Sequence, residues 1–206
     1  MPKKMTRQSA PDYSRETLYQ ARGLGPVAGV DEAGRGPLAG PVVVAACILN
    51  PDAIPEGLND SKKLTSTRRA ILFDRIRATS QSAIVIVSAR VIDETNIRAA
   101  TLKGMVEAVH ALPVKPGAAL VDGRDWPNMP CVGEAVIKGD ALSLSIAAAS
   151  ILAKVTRDRL MNQANTFWPG YGFDKHAGYG TAAHLDALAK HGPTPIHRMS
   201  FAPLKL

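Results

Sequence analysis

The segment from Gly29 to Pro41, GVDEAGRGPLAGP, constrains the structure and chemistry of this chain more than any other stretch. Two adjacent carboxylates, Asp31 and Glu32, end an apolar run, and glycines, an arginine and prolines follow them directly. Grouped carboxylate oxygens are ligands for hard cations such as Mg²⁺. Glycines allow a backbone N–H to approach a sugar or a phosphate that any Cβ atom would keep away. The segment therefore predicts acid chemistry beside an accessible backbone.

Two other interpretations of this segment have to be weighed. Its glycines at positions 34, 36 and 40 follow the spacing G-x-G-x-x-x-G, which is one residue off the dinucleotide-binding fingerprint. A helix should follow that fingerprint, whereas Val42–Leu49 is β-branched and apolar, as in a strand. A hairpin with an exposed acidic pair explains the segment equally well when it is considered alone. We therefore expect a strand, a glycine-rich connection and a second strand.

The length and charge of the chain favour one domain with a polyanionic partner. With 206 residues, of which 46% are hydrophobic, the chain can bury one full core. The formal net charge is +7 and the sequence pI is about 9.6, which favours binding to nucleic acid. Residues 1–22 carry five basic and two acidic side chains. We expect residues 1–22 to form a basic, mobile tail and residues 23–206 to form a single catalytic domain.

The two cysteines and the N-terminus indicate a cytoplasmic protein. Cys47 and Cys131 both lie in apolar, strand-like runs, which is typical of small buried side chains in a reducing compartment. The basic N-terminus is not followed by the apolar region of a signal peptide, and no apolar run is long enough to span a bilayer. We therefore expect no membrane association.

The pattern of apolar, turn and capping residues predicts an α/β protein. Apolar, β-branched runs predict strands over Val27–Asp31, Val42–Leu49, Ser82–Val91, Ala118–Val121 and Val132–Ile137. Amphipathic periods predict helices after Thr65 and over Asp93–Ala111, Ser143–Asn165 and Thr181–His191, with a loop over Phe167–Gly180. Because the strands come first as a meander and later alternate with helices, we expect a mixed central β-sheet flanked by helices.

Further acids stand where two of these strands end. Asp122 follows the run Ala118–Val121, and Asp140 follows the run that ends at Ile137. Ligands of α/β sheets usually bind at such strand ends. Each acid also has a structural interpretation, since Asp122 begins a common turn dipeptide and Asp140 would cap the following helix. Four acids at three strand ends would nevertheless satisfy two divalent ions about 3.5–4 Å apart beside a phosphodiester.

Several motifs, taken together, resemble one family. In order along the chain, from about Val27 to Phe201, they are similar to the motifs of bacterial ribonuclease HII. The matching segments are Gly29–Val43, Asp60–Leu64, Ile92–Ile97, Val121–Gly123, Lys138–Asp140, Ala148–Asp158, Tyr171–Phe173, His176–Tyr179 and His197–Phe201. One departure is Gly180, which follows Tyr179 where many members of the family have proline.

The resemblance implies an RNase H-like fold with a C-terminal helical segment, and an endonuclease that needs two Mg²⁺ or Mn²⁺ ions. Asp31, Glu32, Asp122 and Asp140 would be the catalytic metal ligands. The substrates would be RNA–DNA hybrids and duplex DNA that contains single ribonucleotides, cut on the 5′ side of the ribonucleotide to leave 5′-phosphate and 3′-hydroxyl ends. Such an enzyme would serve ribonucleotide excision repair and DNA replication. We expect a monomer, with a replication clamp as a further candidate partner.

The resemblance also suggests substrate contacts near the acids. Gly34, Arg35 and Gly36 form the family's Gly-Arg-Gly motif, which would read the 2′-hydroxyl in the shallow minor groove of the hybrid. Tyr179 would stack on the sugar of the next, deoxy, nucleotide. Without the family, packing of Tyr179 within its own loop would be the preferred interpretation.

Other polar side chains are weaker candidates for binding. Lys62 and Lys63 would contact phosphates and Asn96 the DNA strand, although a lysine pair before a helix is more often simply solvated. Lys154 and Arg157 share a helical face, and phosphate binding and surface pairing are equally good interpretations of the two. The five histidines lack metal-ligand spacing, and we expect the His197-Arg198 pair to anchor the C-terminus.

The sequence leaves two other classes open. Another RNase H-like nuclease, such as a junction resolvase, would cut DNA without requiring a ribose. A nucleic-acid-binding domain without catalysis would keep the basic surface, but the four intact acids argue against that class.

Overall fold

A five-stranded mixed sheet forms the centre of the protein. The computed structural model describes residues 10–205 of the chain. The strands are β1 (Val27–Ala33), β2 (Val42–Leu49), β3 (Ser80–Val87), β4 (Ala118–Asp122) and β5 (Val132–Val136), in the spatial order β3-β2-β1-β4-β5. The pairs β1–β2 and β2–β3 are antiparallel, whereas β1–β4 and β4–β5 are parallel. The predicted mixed sheet is therefore confirmed.

Helices cover both faces of this sheet. They are α1 (Ser14–Ala21), α2 (Ser66–Thr79), α3 (Ala89–Glu94), α4 (Ile97–His110), α5 (Leu144–Phe167), α6 (Phe173–His176) and α7 (Ala182–His191). Short 3₁₀ turns lie at Pro51–Ala53, Ser61–Lys63, Gly139–Ala141 and Pro169–Tyr171. The predicted cap Thr65 accepts a backbone hydrogen bond at the start of α2. Ser143 and Thr181 do the same at the starts of α5 and α7, so Ser143 rather than Asp140 caps the long helix.

The alternation of side chains along β2 explains why all eight of its residues are buried. Val43, Ala45 and Cys47 face α5 and α2, whereas Val44 and Ala46 face α4 on the other side. The approach of α5 to the sheet is close because five of the eight residues from 146 to 153 are small, four alanines and one serine. At Gly29 a Cβ atom would overlap the backbone at the start of α5, so this glycine permits the contact.

Three predicted elements differ from the structure. β3 ends at Val87 rather than Val91, because the Ser88 side chain accepts a hydrogen bond from the backbone N–H of Val91 and begins α3. The helix that we predicted from Asp93 begins instead at Ile97, after a break between α3 and α4. The predicted loop over 167–180 contains the last residue of α5, one 3₁₀ turn and α6.

The predicted N-terminal tail is wrong in part. Residues 1–9 lie outside the described residues, but residues 14–21 form α1, which packs on the domain. The Glu16 side chain is completely buried, and its Oε1 accepts hydrogen bonds from Ser143 Oγ at 2.6 Å and Ser145 N at 2.9 Å. The packed domain therefore begins before residue 23. No helix in the described part of the chain is long and apolar enough to cross a membrane.

Candidate active site

The pairing of β1 and β4 places two of the predicted acids side by side. Val30 of β1 is in register with Val121 of β4, and the two strands run parallel. Asp31 and Asp122 are the next residues along these strands. The edge where both strands end therefore carries two carboxylates, and Glu32 follows on the same strand as Asp31.

The turn after β5 brings the fourth acid to this edge. Lys138 has a left-handed backbone conformation, with φ of 58°, and begins the turn Gly139–Ala141 that contains Asp140. The backbone N–H of Gly139 donates a hydrogen bond of 2.6 Å to Asp122 Oδ1. Lys62 approaches from another part of the chain, with its Nζ 3.6 Å from Asp140 Oδ2. Three distant segments thus meet at one place.

Burial raises the pKa of all four acids, and repulsion by neighbouring carboxylates, including that of Asp60, adds to it. Desolvation is the main cause at each of them, and Asp31, which is only 4% exposed, is also repelled by Glu32 and Asp122. Desolvation and then repulsion by Asp122 raise the pKa of Asp140. Desolvation likewise raises the pKa of Glu32 and that of Asp122. A divalent cation would remove this unfavourable concentration of negative charge.

The oxygens at this edge fit such a cation. All four side chains supply carboxylate oxygens, the ligands that Mg²⁺ and Mn²⁺ prefer. Glu32 Oε2 is buried and accepts no hydrogen bond from any of residues 10–205. A buried carboxylate oxygen without a partner is costly, and a metal ion would satisfy it. Within the same residues, no three His, Cys, Asp or Glu side chains already have metal-binding geometry. The four carboxylates would therefore have to reorient to bind one ion together.

The glycine loop, residues 34–41 between β1 and β2, is held beside the acids by a buried arginine from the C-terminal segment. Arg198 is completely buried, and it donates hydrogen bonds to the carbonyls of Gly34 at 2.6 Å, Arg35 at 2.8 Å and Gly40 at 2.8 Å. Burial, and then repulsion by Arg157, lower its pKa to about 10, so it remains a cation at neutral pH. The sequence suggested that His197-Arg198 anchors the C-terminus, and the structure shows that Arg198 anchors the loop as well.

A second buried arginine holds the other end of the loop. Arg157 of α5 is 1% exposed and donates hydrogen bonds to the carbonyls of Pro41 at 3.0 Å, Ala39 at 3.1 Å and Ala177 at 2.9 Å. Both sequence interpretations of this residue, phosphate binding and surface pairing, are therefore wrong. At Gly34, where φ is +95°, a Cβ atom would overlap the Arg157 side chain. Only glycine fits there without displacing this arginine.

One cleft brings together most of the predicted site residues. Its volume is about 360 Å³. Seven of the predicted residues line it, namely Glu32, Gly34, Arg35, Gly36, Lys62, Lys154 and Tyr179. Tyr179 is 49% exposed, and its ring lies beside Gly36. Asp140 lines a neighbouring depression that shares Lys62, and Asp122 lines another that shares Arg35.

The two weaker candidates Asn96 and Lys154 differ in their position relative to this cleft. Asn96 does not line this cleft, and its side chain instead accepts a hydrogen bond of 2.9 Å from Ala99 N at the start of α4. Its contact with DNA stays a prediction. Lys154 lines the cleft and also pairs with Asp158, with 2.7 Å between Nζ and Oδ1. Its phosphate contact also stays a prediction.

Sequence reasoning missed the partners that support the acids. Ser61 Oγ and Ser150 Oγ lie 2.8 Å apart in the buried floor of the cleft, and a hydrogen bond from Ser150 opposes the rise in the pKa of Asp31. Asp60 caps the turn that carries Lys62, and its Oδ1 accepts a hydrogen bond from Lys62 N at 2.9 Å. The sequence motif Asp60–Leu64 suggested roles only for its two lysines.

The fold and the site together define a class. A mixed sheet in this strand order, with carboxylates at the ends of its central strands, defines a nuclease of the RNase H-like fold. The sequence model described as Ribonuclease HII matches residues 28–204, and the chain belongs to that family. It is accordingly a ribonuclease H, and enzymes of this family depend on divalent metal ions.

Individual relatives agree with this assignment. The Ribonuclease HII of Agrobacterium fabrum is 55% identical over 198 residues, which cover 96% of this chain and 91% of the relative. The crystal structure of ribonuclease H2 from Pyrococcus horikoshii OT3 has a TM-score of 0.75 at 28% identity, over 87% of this chain and 95% of that one. The RNase HII in a PCNA complex from Archaeoglobus fulgidus has a TM-score of 0.72 at 29% identity, over 85% and 94%.

Proposed function

We propose that the protein cleaves the phosphodiester on the 5′ side of a ribonucleotide, both in RNA–DNA hybrids and where a single ribonucleotide lies in duplex DNA. The observation that carries this proposal is the juxtaposition of four mutually repelling carboxylates with a glycine loop and an exposed tyrosine. The acids supply the chemistry. The loop and the tyrosine distinguish ribose from deoxyribose.

Asp31, Glu32, Asp122 and Asp140 would hold two Mg²⁺ or Mn²⁺ ions. The chemistry that such ions would supply there is activation of the attacking water and stabilisation of the departing 3′ oxygen. Lys62 lies on the same side and would contact a neighbouring phosphate, since the surrounding acids outweigh its desolvation and keep its pKa raised. Attack at phosphorus breaks the bond to the 3′ oxygen, so that the products end in a 3′-hydroxyl and a 5′-phosphate.

The fixed glycine loop supports recognition of the 2′-hydroxyl. Arg198 binds the carbonyls of Gly34 and Arg35. Because a trans peptide group is planar, its N–H points away from its C=O, so the N–H groups of Arg35 and Gly36 are directed away from Arg198. These two N–H groups are rigid donors for a ribose hydroxyl in a shallow minor groove. Tyr179, whose ring lies beside Gly36, would stack on the sugar of the adjoining deoxynucleotide.

The cellular setting follows from this activity. We infer that the protein works as a cytoplasmic monomer in ribonucleotide excision repair and DNA replication, where such junctions arise. The Archaeoglobus fulgidus relative was solved with PCNA. A similar contact of this chain with a replication clamp is a further candidate, and co-migration of the purified protein with the clamp in size-exclusion chromatography would test it.

Two matched duplexes test the activity. With Mg²⁺, a duplex carrying one ribonucleotide should be cut once on its 5′ side, and the all-DNA duplex of the same sequence should remain intact. Ligation of the cut strand should confirm the 5′-phosphate and the 3′-hydroxyl. Cleavage of both duplexes would favour a junction resolvase, and binding to both without cleavage would favour a domain that has lost catalysis.

A further inference from the structure

Two buried histidines lie directly behind Tyr179. His184 of α7 is completely buried and His197 is 2% exposed. Neither side chain lines the cleft, and neither has a role in the function proposed above. Their ring nitrogens are 3.0 Å apart, with His184 Nε2 facing His197 Nε2. Two facing ring nitrogens form a hydrogen bond only when one of them carries a proton and the other does not.

The backbone at each end of this pair fixes where the protons lie. The N–H of Thr194 donates a hydrogen bond of 2.8 Å to His197 Nδ1, and Thr194 Oγ1 lies 2.8 Å from the same atom. His197 Nδ1 therefore has no proton, and the neutral ring carries its proton on Nε2. That proton is donated to His184 Nε2. His184 in turn carries its proton on Nδ1 and donates it to the carbonyl of Tyr179 at 2.9 Å.

This chain of hydrogen bonds requires both rings to be neutral. Burial, and then the neighbouring His184, lower the pKa of His197 to about 4. Burial is also the main cause that lowers the pKa of His184. The other imidazole that packs on His184 is His176, whose ring stacks at a centroid distance of 4.6 Å. At neutral pH the two rings are therefore uncharged, and every hydrogen bond in the series from Thr194 to Tyr179 has one donor and one acceptor.

The carbonyl at the end of this chain belongs to the residue whose ring faces the substrate cleft. The Tyr179 carbonyl also accepts a hydrogen bond of 2.8 Å from Thr181 N, and the Tyr179 N–H donates one of 2.9 Å to His176 O. The backbone of Tyr179 is thus held on both sides while its ring remains half exposed. A side chain on a fixed backbone has fewer orientations to lose when it stacks on a sugar.

We propose that His184 and His197 are positioning residues that orient Tyr179 through this chain of hydrogen bonds, and so set the selectivity of the enzyme for a ribonucleotide that adjoins deoxyribose. The proposal rests on the substrate contact of Tyr179 in the proposed function. The two histidines act from behind the loop and do not touch the substrate.

Two substitutions at the same position separate positioning from packing. In His184→Asn the amide nitrogen takes the place of Nδ1 and keeps the donor to Tyr179, whereas the bond with His197 is lost. In His184→Gln the amide oxygen takes the place of Nε2 and keeps the acceptor for His197, whereas the donor to Tyr179 is lost. Each variant loses one hydrogen bond and part of one buried ring, so thermal unfolding should show similar destabilisation of both.

The measurement is the ratio of kcat/KM for a single-ribonucleotide duplex to kcat/KM for a long hybrid. A lost hydrogen bond of ordinary strength corresponds to about a tenfold change. We expect His184→Gln to lower the ratio about tenfold, towards the value of Tyr179→Ala, and His184→Asn to keep it within about threefold of the wild type. In the Tyr179→Ala background, His184→Gln should cause no further change in the ratio.

The outcomes distinguish this proposal from the function on which it rests. If Tyr179→Ala leaves the ratio unchanged, the role of Tyr179 is wrong and the proposal falls with it. If Tyr179→Ala lowers the ratio but the two His184 variants have equal ratios, only the positioning role is overturned. Imidazole ¹⁵N chemical shifts of the wild-type protein give an independent check. A proton on Nδ1 of His197, or on Nε2 of His184, would contradict the proposal even if a variant failed to fold.

Discussion

The acidic edge, formed by Asp31, Glu32, Asp122 and Asp140, lies next to the glycine loop. The two regions differ in how completely the protein itself satisfies their polar atoms. At the acidic edge, desolvation raises the pKa of four carboxylates, and Glu32 Oε2 is buried without a hydrogen-bond partner among residues 10–205. In the loop, the carbonyls of Gly34, Arg35 and Gly40 all accept hydrogen bonds from the buried Arg198. The acidic edge is thus incomplete without added cations, whereas the loop is complete without added ligands.

This difference indicates a division of labour. Groups that must bind metal ions cannot have all their oxygens satisfied by the protein, because the ions would then have to displace those bonds. Groups that must recognise a ribose are more selective if their geometry is fixed before binding. Substitutions in the two regions should therefore affect different quantities, with catalysis lost at the acids and stability lost at the arginines.

The largest effect is expected for Asp31→Asn. It should lower turnover by at least about 10³-fold, because a neutral amide binds a divalent ion poorly and no longer helps to hold the reacting phosphate. Binding to the single-ribonucleotide duplex should remain within a few-fold. Asp74→Asn, on the exposed face of α2, is the control and should retain full turnover. An active Asp31→Asn enzyme would remove the metal centre from this account.

Arg198→Ala should destabilise the protein by about 4 kcal/mol, because it leaves buried carbonyls unpaired and creates a cavity. The free energy of unfolding from urea titration measures this change. Arg90→Ala, which removes a side chain that is 84% exposed and paired with Glu94, should change it by less than about 0.5 kcal/mol. Equal effects of the two substitutions would show that the loop does not depend on its buried cation.

Gly34→Ala should have the next largest effect on stability. The new Cβ atom would overlap Arg157, and the positive φ adds strain, so we expect a loss of about 3 kcal/mol together with reduced cleavage. Gly23 also has a positive φ, of +74°, but a Cβ atom there would meet nothing within 4 Å. Gly23→Ala should therefore cost only about 1 kcal/mol. The difference between the two measures the contact with Arg157.

Through the acidic edge, a rise in pH should lower the free energy of unfolding, and added Mg²⁺ should raise it. Asp31, Asp122 and Asp140 have folded-state pKa values raised above the ordinary 3.8. Their contribution to stability is therefore fully present below pH 3.8 and is lost as the pH rises through the folded-state values. Mg²⁺ at 100 times its Kd should restore about 2.7 kcal/mol at neutral pH.

Calorimetric unfolding of the wild type and Asp31→Asn, at several pH values with Mg²⁺ or EDTA, isolates this effect. The difference between the two proteins cancels the contributions of acids elsewhere, such as Asp93, whose hydrogen bonds to Ser200 outweigh its desolvation and lower its pKa. In EDTA the wild type should lose stability relative to the variant as the pH rises. An identical pH dependence would contradict the repulsion inferred at this edge.

The smallest effect is expected for Lys154→Gln. Its pair with Asp158 is about one third exposed, so stability should change by less than about 0.5 kcal/mol. If Lys154 contacts a phosphate, the slope of log affinity against log salt should fall by about 0.9. Lys103→Gln removes a similar pair with Glu107 on α4, outside the cleft, and should leave the slope unchanged.

The sequence was sufficient where short-range patterns determine structure. The bounds of β2 were predicted correctly because eight consecutive apolar residues cannot avoid the core, and Thr65 acts as the predicted cap of α2. The meeting of Asp31 and Asp122 follows from the parallel alignment of the two strands that precede them.

Sequence reasoning failed where the structure depends on contacts between distant residues. Arg157 and Arg198 have ordinary surroundings in the sequence, and only their carbonyl partners, most of them more than 100 residues away, explain their burial. The polar helix α1 was missed because it is attached by one buried carboxylate, Glu16, and one buried ring, Tyr19, rather than by a long apolar face. The pairing of His184 with His197 likewise joins residues whose spacing carries no recognisable signal.

Anomalous diffraction from crystals soaked in Mn²⁺ tests the central claim most directly. The account predicts Mn²⁺ at the edge where β1 and β4 end, with oxygens of Asp31, Glu32, Asp122 and Asp140 about 2.0–2.3 Å from the ions. Glu32 Oε2 should be among these ligands, since it has no other partner in residues 10–205. Mn²⁺ bound elsewhere, with these four carboxylates left apart, would contradict the account.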